Sequence, residues 1–243
     1  MRKIDIYNHV IPPAYLELMK QHSKDANMLK RMTSIRKLWD LPARVEMLEQ
    51  WPEVQQVLTL AMPTPEALGD AAASPGYASE KKSEYEIWQV LGWPYETSVA
   101  MARMVFSGML QKLPGLRVIT HHCGAMIPYF AGRAETLWAQ LGSRSADANY
   151  EDVLKRMAKS PIEYFKMFYA DTVLGGSDSA LRCGLDFFGA DKIVFASDCP
   201  FDPEGGPMFI RESMRSISAL DISNADKQKI FVDNALKLLG LAK

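Results

Sequence analysis

Five short apolar runs, separated by segments of helical period, set the strongest limit on what this chain can fold into. Lys3 to His9 alternates apolar and polar residues and halts before Pro12-Pro13, the pattern of a strand entering a loop. Leu41 to Trp51 carries Leu41, Val45 and Leu48 at helical spacing, and Pro52 ends it ahead of the β-rich run Val54 to Leu60. Glu84 to Leu113 reads as mostly helical with an interruption at Gly92-Trp93-Pro94, and Pro114-Gly115 sets off a third run, Leu116 to His121. The fourth and fifth runs, Tyr164 to Ala170 and Lys192 to Ala196, are each followed by an aspartate, Asp171 and Asp198, and Asp226 to Leu239 closes the chain as a helix.

Strands alternating with helices pair in parallel, because a parallel crossover must be long enough to hold a helix, so the class is α/β. His9, His122, Asp171 and Asp198 fall at or just past the carboxyl ends of the expected strands, where a (β/α)8 TIM barrel keeps its active site. A doubly wound sheet would show a glycine-rich phosphate turn after its first strand, and none is present. Eight strands take about 250 residues, yet the 55 positions from Met62 to Leu116 offer no convincing strand, so the expectation is an incomplete barrel of about five. No repeat or long linker divides the chain. Ala71-Ala72-Ala73-Ser74-Pro75-Gly76 is only a small-residue break, and residues 1–243 read as one domain.

Twenty-eight basic against 29 acidic residues give a formal charge of -1, which leaves no positive field for a nucleic-acid backbone or an anionic membrane. The apolar stretches fall far short of the roughly 18 residues of a membrane span. Met1-Arg2-Lys3 leads into Ile4-Asp5 rather than into a signal-peptide core, and the three cysteines suit reduced thiols better than a disulfide framework, so a soluble cytoplasmic protein is expected.

A neutral imidazole at a strand end is a common donor to zinc or iron, which makes His9 a candidate metal ligand, with a hydrogen-bonded loop histidine as the plain alternative. Alternation along Val118-Ile119-Thr120-His121-His122 puts the two histidines on opposite faces, so only one is expected to be catalytic. Asp198 follows the apolar Ile193, Val194 and Phe195, and a carboxylate there must be paired, hydrogen-bonded or metal-bound to offset its desolvation. Asp171 reads at least as well as a cap on the Thr172 to Gly176 turn. Cys123 and Cys199 each follow a candidate polar residue, but no nucleophile elbow or papain-like signature surrounds them, and packed thiols are the simpler reading. Arg44 and Arg133 suit either a substrate carboxylate or an ion pair, and His22 reads as solvated.

Three ordered motifs carry a resemblance: Ile4-Asp5-Ile6-Tyr7-Asn8-His9-Val10-Ile11-Pro12, then His122 with Pro128 and Gly132-Arg133, then Phe195-Ala196-Ser197-Asp198-Cys199-Pro200-Phe201. Together they resemble the metal-dependent amidohydrolase-2 branch of the amidohydrolase superfamily. The resemblance implies a divalent-metal barrel enzyme, with zinc or manganese, commonly a homodimer, acting on a small carboxylate. Non-oxidative decarboxylation of an aromatic or unsaturated acid is the main expectation; hydrolysis of a C–N or C–C bond is the alternative. The resemblance gives His9 and Asp198 to the metal, His122 to acid/base work with Asp198 also able to handle a proton, Arg44 to the substrate carboxylate, and Arg133 to a site shared across a dimer.

Two features depart from the pattern. Tyr7 stands where the family has its first metal-binding histidine, and a neutral phenol with pKa about 10 is a poor ligand. The family's third to fifth strands, and a further metal histidine, are skipped near Ser74-Pro75-Gly76. A barrel deleted there would expose its second and sixth staves, so these are expected to pair with each other or with another chain. A non-catalytic product retaining the fold is the contrasting reading.

Overall fold

The computed structural model describes residues 1–23, 25–61, 84–144 and 150–242. Strand β1 (Lys3–Val10) pairs in parallel with β2 (Val54–Leu60), from Lys3 opposite Val54 to Val10 opposite Leu60. Between them lie α1 (Pro13–His22), α2 (Ala26–Ser34), α3 (Arg36–Trp39) and α4 (Leu41–Leu48). Their starts are written locally. Asp25 accepts from the N–H groups of Asn27 and Met28 at 3.0 Å, and Asp40 accepts from that of Ala43 at 3.1 Å, so both helices are capped by an aspartate.

The described chain resumes at Glu84, and a wide turn over Trp88–Gly92 runs straight into α5 (Trp93–Phe106), followed by α6 (Met109–Lys112). The interruption expected at Gly92-Trp93-Pro94 does not occur. Pro94 sits in the first turn of α5, where proline is tolerated. The small-residue break Ala71 to Gly76 lies outside the described residues.

Then come β3 (Ile119–Thr120), α7 (Ala131–Trp138), α8 (Glu151–Arg156), α9 (Pro161–Phe165), β4 (Tyr169–Asp171), α10 (Asp178–Phe188) and β5 (Ile193–Val194). The chain closes with α11 (Pro207–Ala219), α12 (Asn224–Gln228) and α13 (Asn234–Leu238), the last two joined by a wide turn over Lys229–Asp233. The run Tyr164 to Ala170 is therefore not one strand. Ser160 and Glu163 form a reciprocal capping box that starts a helix at Pro161, and only Tyr169–Asp171 is left extended.

β3, β4 and β5 form a second parallel ladder, in that order. Past Val194 the chain continues along β1: Ile6 N–H donates to Phe195 O at 3.1 Å, Asp198 N–H to Tyr7 O at 3.0 Å, and His9 N–H to Cys199 O at 2.7 Å. Five parallel strands thus run in the order β2-β1-β5-β4-β3, with β2 and β3 outermost. Among the described residues no ladder joins β2 to β3, so the expected re-pairing of the two edges is not seen. Leu58 and Leu60 of β2 are 52% and 44% exposed, consistent with an edge.

The core centres on β5 and the residues just after it, where Ile193, Val194, Phe195 and Ala196 are fully buried, each large side chain contributing about 1.5–3 kcal/mol. Helices α10 and α11 cover it with faces at helical spacing, Leu181, Phe187 and Phe188 on one, Ile210, Ser213 and Ile217 on the other. A smaller cluster of Ile11, Leu16, Met19, Met32, Leu38 and Ala61 seats α1 to α3 beside the carboxyl ends of β1 and β2, with Phe201 packed against it.

Candidate active site

At those carboxyl ends His9 Nε2 meets Asp198 Oδ1 at 3.0 Å, while His9 Nδ1 lies 3.2 Å from Thr59 Oγ1 of β2. The two residues that frame this pair, one near each end of the chain, meet because the extension of β5 hydrogen-bonds along β1. Asp198 adopts φ +63, a left-handed conformation that costs a non-glycine residue about 1 kcal/mol or more and concentrates at functional sites.

A second pair lies across Tyr7. His121 Nδ1 stands 2.5 Å from Asp171 Oδ2, and the Tyr7 ring is 4.4 Å from that of His121 and 4.7 Å from that of His9. Asp171 is 1% exposed and also accepts the N–H groups of Cys123 at 2.9 Å and Val173 at 3.1 Å, so it caps its turn as well as holding the histidine. Burial works against the charged forms of both partners, yet their mutual attraction outweighs it. His121 is raised above the usual histidine range and Asp171 falls below the usual carboxylate range.

The expectation that His121 and His122 face opposite ways is overturned. Regular strand ends at Thr120, and His122 and Cys123 both turn left-handed, at φ +52 and +53, which brings the two imidazoles to 3.8 Å between centroids. Helix α10 closes on this turn through Gly184, whose missing side chain leaves room for the Cys123 thiol. His122 Nδ1 is buried without a hydrogen-bond partner among the described residues, and burial together with the neighbouring His121 lowers its pKa to about 4. Burial thus favours the neutral form of His122, while the Asp171 carboxylate favours the charged form of His121.

Asp5, directly under the site, is fully buried and accepts Ser197 Oγ at 2.5 Å, Ser197 N–H at 3.0 Å and Gln56 Nε2 at 2.8 Å. This network ties β1, β2 and the β5 extension together below the His9–Asp198 pair. Burial raises the Asp5 pKa despite those donors. The Cys-His idea loses its chemistry here, since burial lifts both the Cys123 thiol and the Cys199 thiol, the latter to about 12, far from a thiolate at neutral pH.

Arg44 is not where a substrate arginine would be useful. It is 3% exposed, and its guanidinium donates to Gln56 Oε1 at 2.9 Å, His9 O at 3.1 Å, Lys37 O at 3.3 Å, Asn8 Oδ1 at 3.0 Å and Cys199 O at 3.4 Å. Five N–H donors meet five acceptors, so none is left for a carboxylate. Arg133 is exposed on α7, with no ion-pair partner among the described residues, and His22 is exposed as expected. The residue that sequence reading missed is Arg31 on α2. Its guanidinium lies 5.2 Å from the Phe201 ring, which is itself 5.1 Å from the His9 ring, and its Nε is buried with no partner among the described residues. Nη1 donates to Gln89. Burial lowers its pKa, and the charge of Asp198 opposes that shift. Nothing local in the sequence marks this position, because its neighbours come from α5's approach and from the loop after β5.

The Amidohydro_2 family profile, described as amidohydrolase, matches residues 66–241. The chain belongs to this amidohydrolase family. It is 28% identical over 162 residues to the 2-amino-3-carboxymuconate-6-semialdehyde decarboxylase of Dictyostelium discoideum, an alignment covering 67% of this chain and 42% of that one. It spans 42% to 57% of the length of that decarboxylase and of two further curated relatives. Solved structures share the fold. The apo IDCase of Metarhizium anisopliae superposes with a TM-score of 0.74 at 16% identity, covering 99% of this chain and 97% of that one. A dihydroxybenzoic acid decarboxylase from Polaromonas sp. JS666, holding manganese and 2-nitroresorcinol, gives 0.68 at 18%, with 99% and 97% covered. The amidohydrolase-type fold expected from the motifs is thus found, while the described residues of this member hold five strands, a two-stranded and a three-stranded ladder joined along residues 195–199. Among those residues no helix is long and apolar enough to cross a membrane.

Proposed function

We propose that this amidohydrolase is a metal-dependent, non-oxidative decarboxylase of a small aromatic or unsaturated carboxylate. The observation that carries the reading is the convergence of His9 Nε2 and Asp198 Oδ1, 3.0 Å apart at the carboxyl ends of adjoining parallel strands. The named decarboxylases among its relatives, and the manganese in a structural neighbour, support it.

The donor chemistry fits a divalent cation of modest affinity. An imidazole nitrogen and a carboxylate oxygen at this separation suit two positions of one coordination shell, but no group of three such donors occurs among the described residues, so water and substrate must complete it. The chemistry supplied by a cation held by His9 and Asp198 is Lewis-acid polarisation of a substrate oxygen.

The chain's own groups do the rest. Thr59, at 3.2 Å from His9 Nδ1, fixes the orientation of that imidazole. Arg31, with its free Nε beside Phe201, anchors the substrate carboxylate, in place of Arg44, and Arg133 extends the site from a second subunit of a homodimer. His122 keeps the acid/base role given by the resemblance, as a neutral acceptor. Decarboxylation adds a proton to the carbon bearing the carboxylate, after which the C–C bond breaks, its electron pair returns to the ring and CO2 leaves. A cytoplasmic location accords with the three free cysteines.

The test is CO2 release from 2,6-dihydroxybenzoate and from carboxymuconate semialdehydes by manganese- and zinc-loaded protein, alongside His9→Ala and Asp198→Ala. Metal-dependent release, lost in both variants, supports the reading. Turnover of amide or diketone substrates without CO2 favours the hydrolase, and a protein that binds neither metal nor carboxylate is a non-catalytic member.

A further inference from the structure

Decarboxylation needs a proton donor aimed at the carbon that loses CO2, and one imidazole at this site is held in the geometry of such a donor. Strand alternation left room for only one of the two histidines to be catalytic, and the resemblance gives that role to His122 by its spacing to Pro128 and Arg133, yet the setting of His121 is that of an oriented acid. Its Nδ1 is fixed at 2.5 Å by a carboxylate that is itself immobilised by two backbone N–H donors. Among the described residues its side-chain hydrogen bond runs through Nδ1 to Asp171, and the side chain is 22% exposed. Here Nδ1 is pinned while the side chain stays partly exposed beside Tyr7, which also touches the metal-site histidine.

Resting on the decarboxylase reading above, we propose that His121, held through Nδ1 by the buried carboxylate of Asp171, is the proton donor of the site, delivering the Nε2 proton to the carbon that loses CO2. The proton moves from Nε2 to carbon, the C–C bond breaks, CO2 departs, and neutral His121 regains a proton from solvent at its exposed edge. Asp171 is a positioning residue: it selects the tautomer and stabilises the imidazolium without touching substrate. The charged and titratable groups facing His121 are Asp171 from β4, His122 from its own turn, Tyr7 from β1, and Asp198 beyond it. The two carboxylates favour the imidazolium.

The experiment compares kcat and KM across pH for the metal-loaded wild type, His121→Asn, His122→Asn and Asp171→Asn on whichever carboxylate the wild type decarboxylates, with a 15N ring titration of wild-type His121. Expected are a fall in kcat of about 100-fold or more in His121→Asn, with KM within about threefold and loss of the alkaline limb. Asp171→Asn should move that limb to lower pH. The His121 ring should remain an imidazolium at pH 7. A His121→Asn protein that keeps kcat within about threefold and retains the limb overturns the proposal, as does a neutral His121 ring at pH 7 in the wild type; the latter decides the matter even where the variants do not fold. Wild-type protein inactive on every carboxylate instead removes the decarboxylase reading itself.

Discussion

Arg44 Nη1 donates to the main-chain oxygen of His9 at 3.1 Å, so the guanidinium holds the backbone that aims the imidazole rather than anything the imidazole faces. The same group reaches Asn8 on β1 and Cys199 after β5, bracing the junction where the two pairing partners cross. Replacing it strands buried carbonyls and amides, each costing about 1–3 kcal/mol. Arg44→Met is expected to lose about 3 kcal/mol or more of unfolding free energy in urea. An unchanged midpoint with a raised KM for the carboxylate would return Arg44 to substrate binding.

Arg31 is expected to behave in the opposite way. Its buried, unpartnered Nε and its contact with Phe201 give it a donor to spend, and it braces no strand. Arg31→Gln should therefore fold normally but weaken carboxylate binding about 10- to 100-fold, the worth of one charge-assisted hydrogen bond. Isothermal titration with a non-reactive nitro analogue of the substrate measures this directly, and affinity unchanged within about twofold would exclude the assignment.

The difference between these two arginines shows where sequence reading stops. β1 and β2 were legible because each is long and bordered by proline, and the strand-end placement of His9 and Asp198 followed. The Ser160 to Glu163 capping box was also written in the sequence, but the apolar run behind it masked the helix. The pairing of residues 195–199 with β1 is irregular, and no periodicity reports it. Two left-handed residues after Thr120 reset which way the histidines face, a local event that alternation cannot foresee. Arg31 and Arg44 both sit on helices before β2, and only the tertiary neighbours reveal that one is saturated and the other is not.

Gly184 tests how tightly the histidine turn is held. A Cβ there would fall inside the van der Waals shell of Cys123 Sγ, and Cys123 is buried beside His122 with its N–H on Asp171. Gly184→Ala is expected to cost about 1–3 kcal/mol by overpacking and to lower activity by displacing the turn. Gly184→Ala combined with Cys123→Ala should recover most of the stability, because the clashing sulfur is gone. Thermal unfolding of the single and double variants checks the pair, and a fully additive result would mean that the glycine matters for another reason.

The two adjacent histidines should set opposite limits on the pH range of stability. His122 has a folded-state pKa of about 4 against an ordinary 6.5, so the unfolded chain takes up a proton that the native one refuses. That contribution is complete above about pH 6.5 and is lost as pH falls through 4, on the order of 3 kcal/mol in all. His121 is raised, so its contribution is complete below about pH 6.5 and is lost as pH rises through its folded-state pKa. Stability from this pair therefore peaks near pH 6.5. Urea unfolding of metal-free protein between pH 4.5 and 8.5 should show His122→Phe flattening the acid side and His121→Phe flattening the alkaline side. Identical pH profiles for both variants would show that the two rings are not held in different charge states.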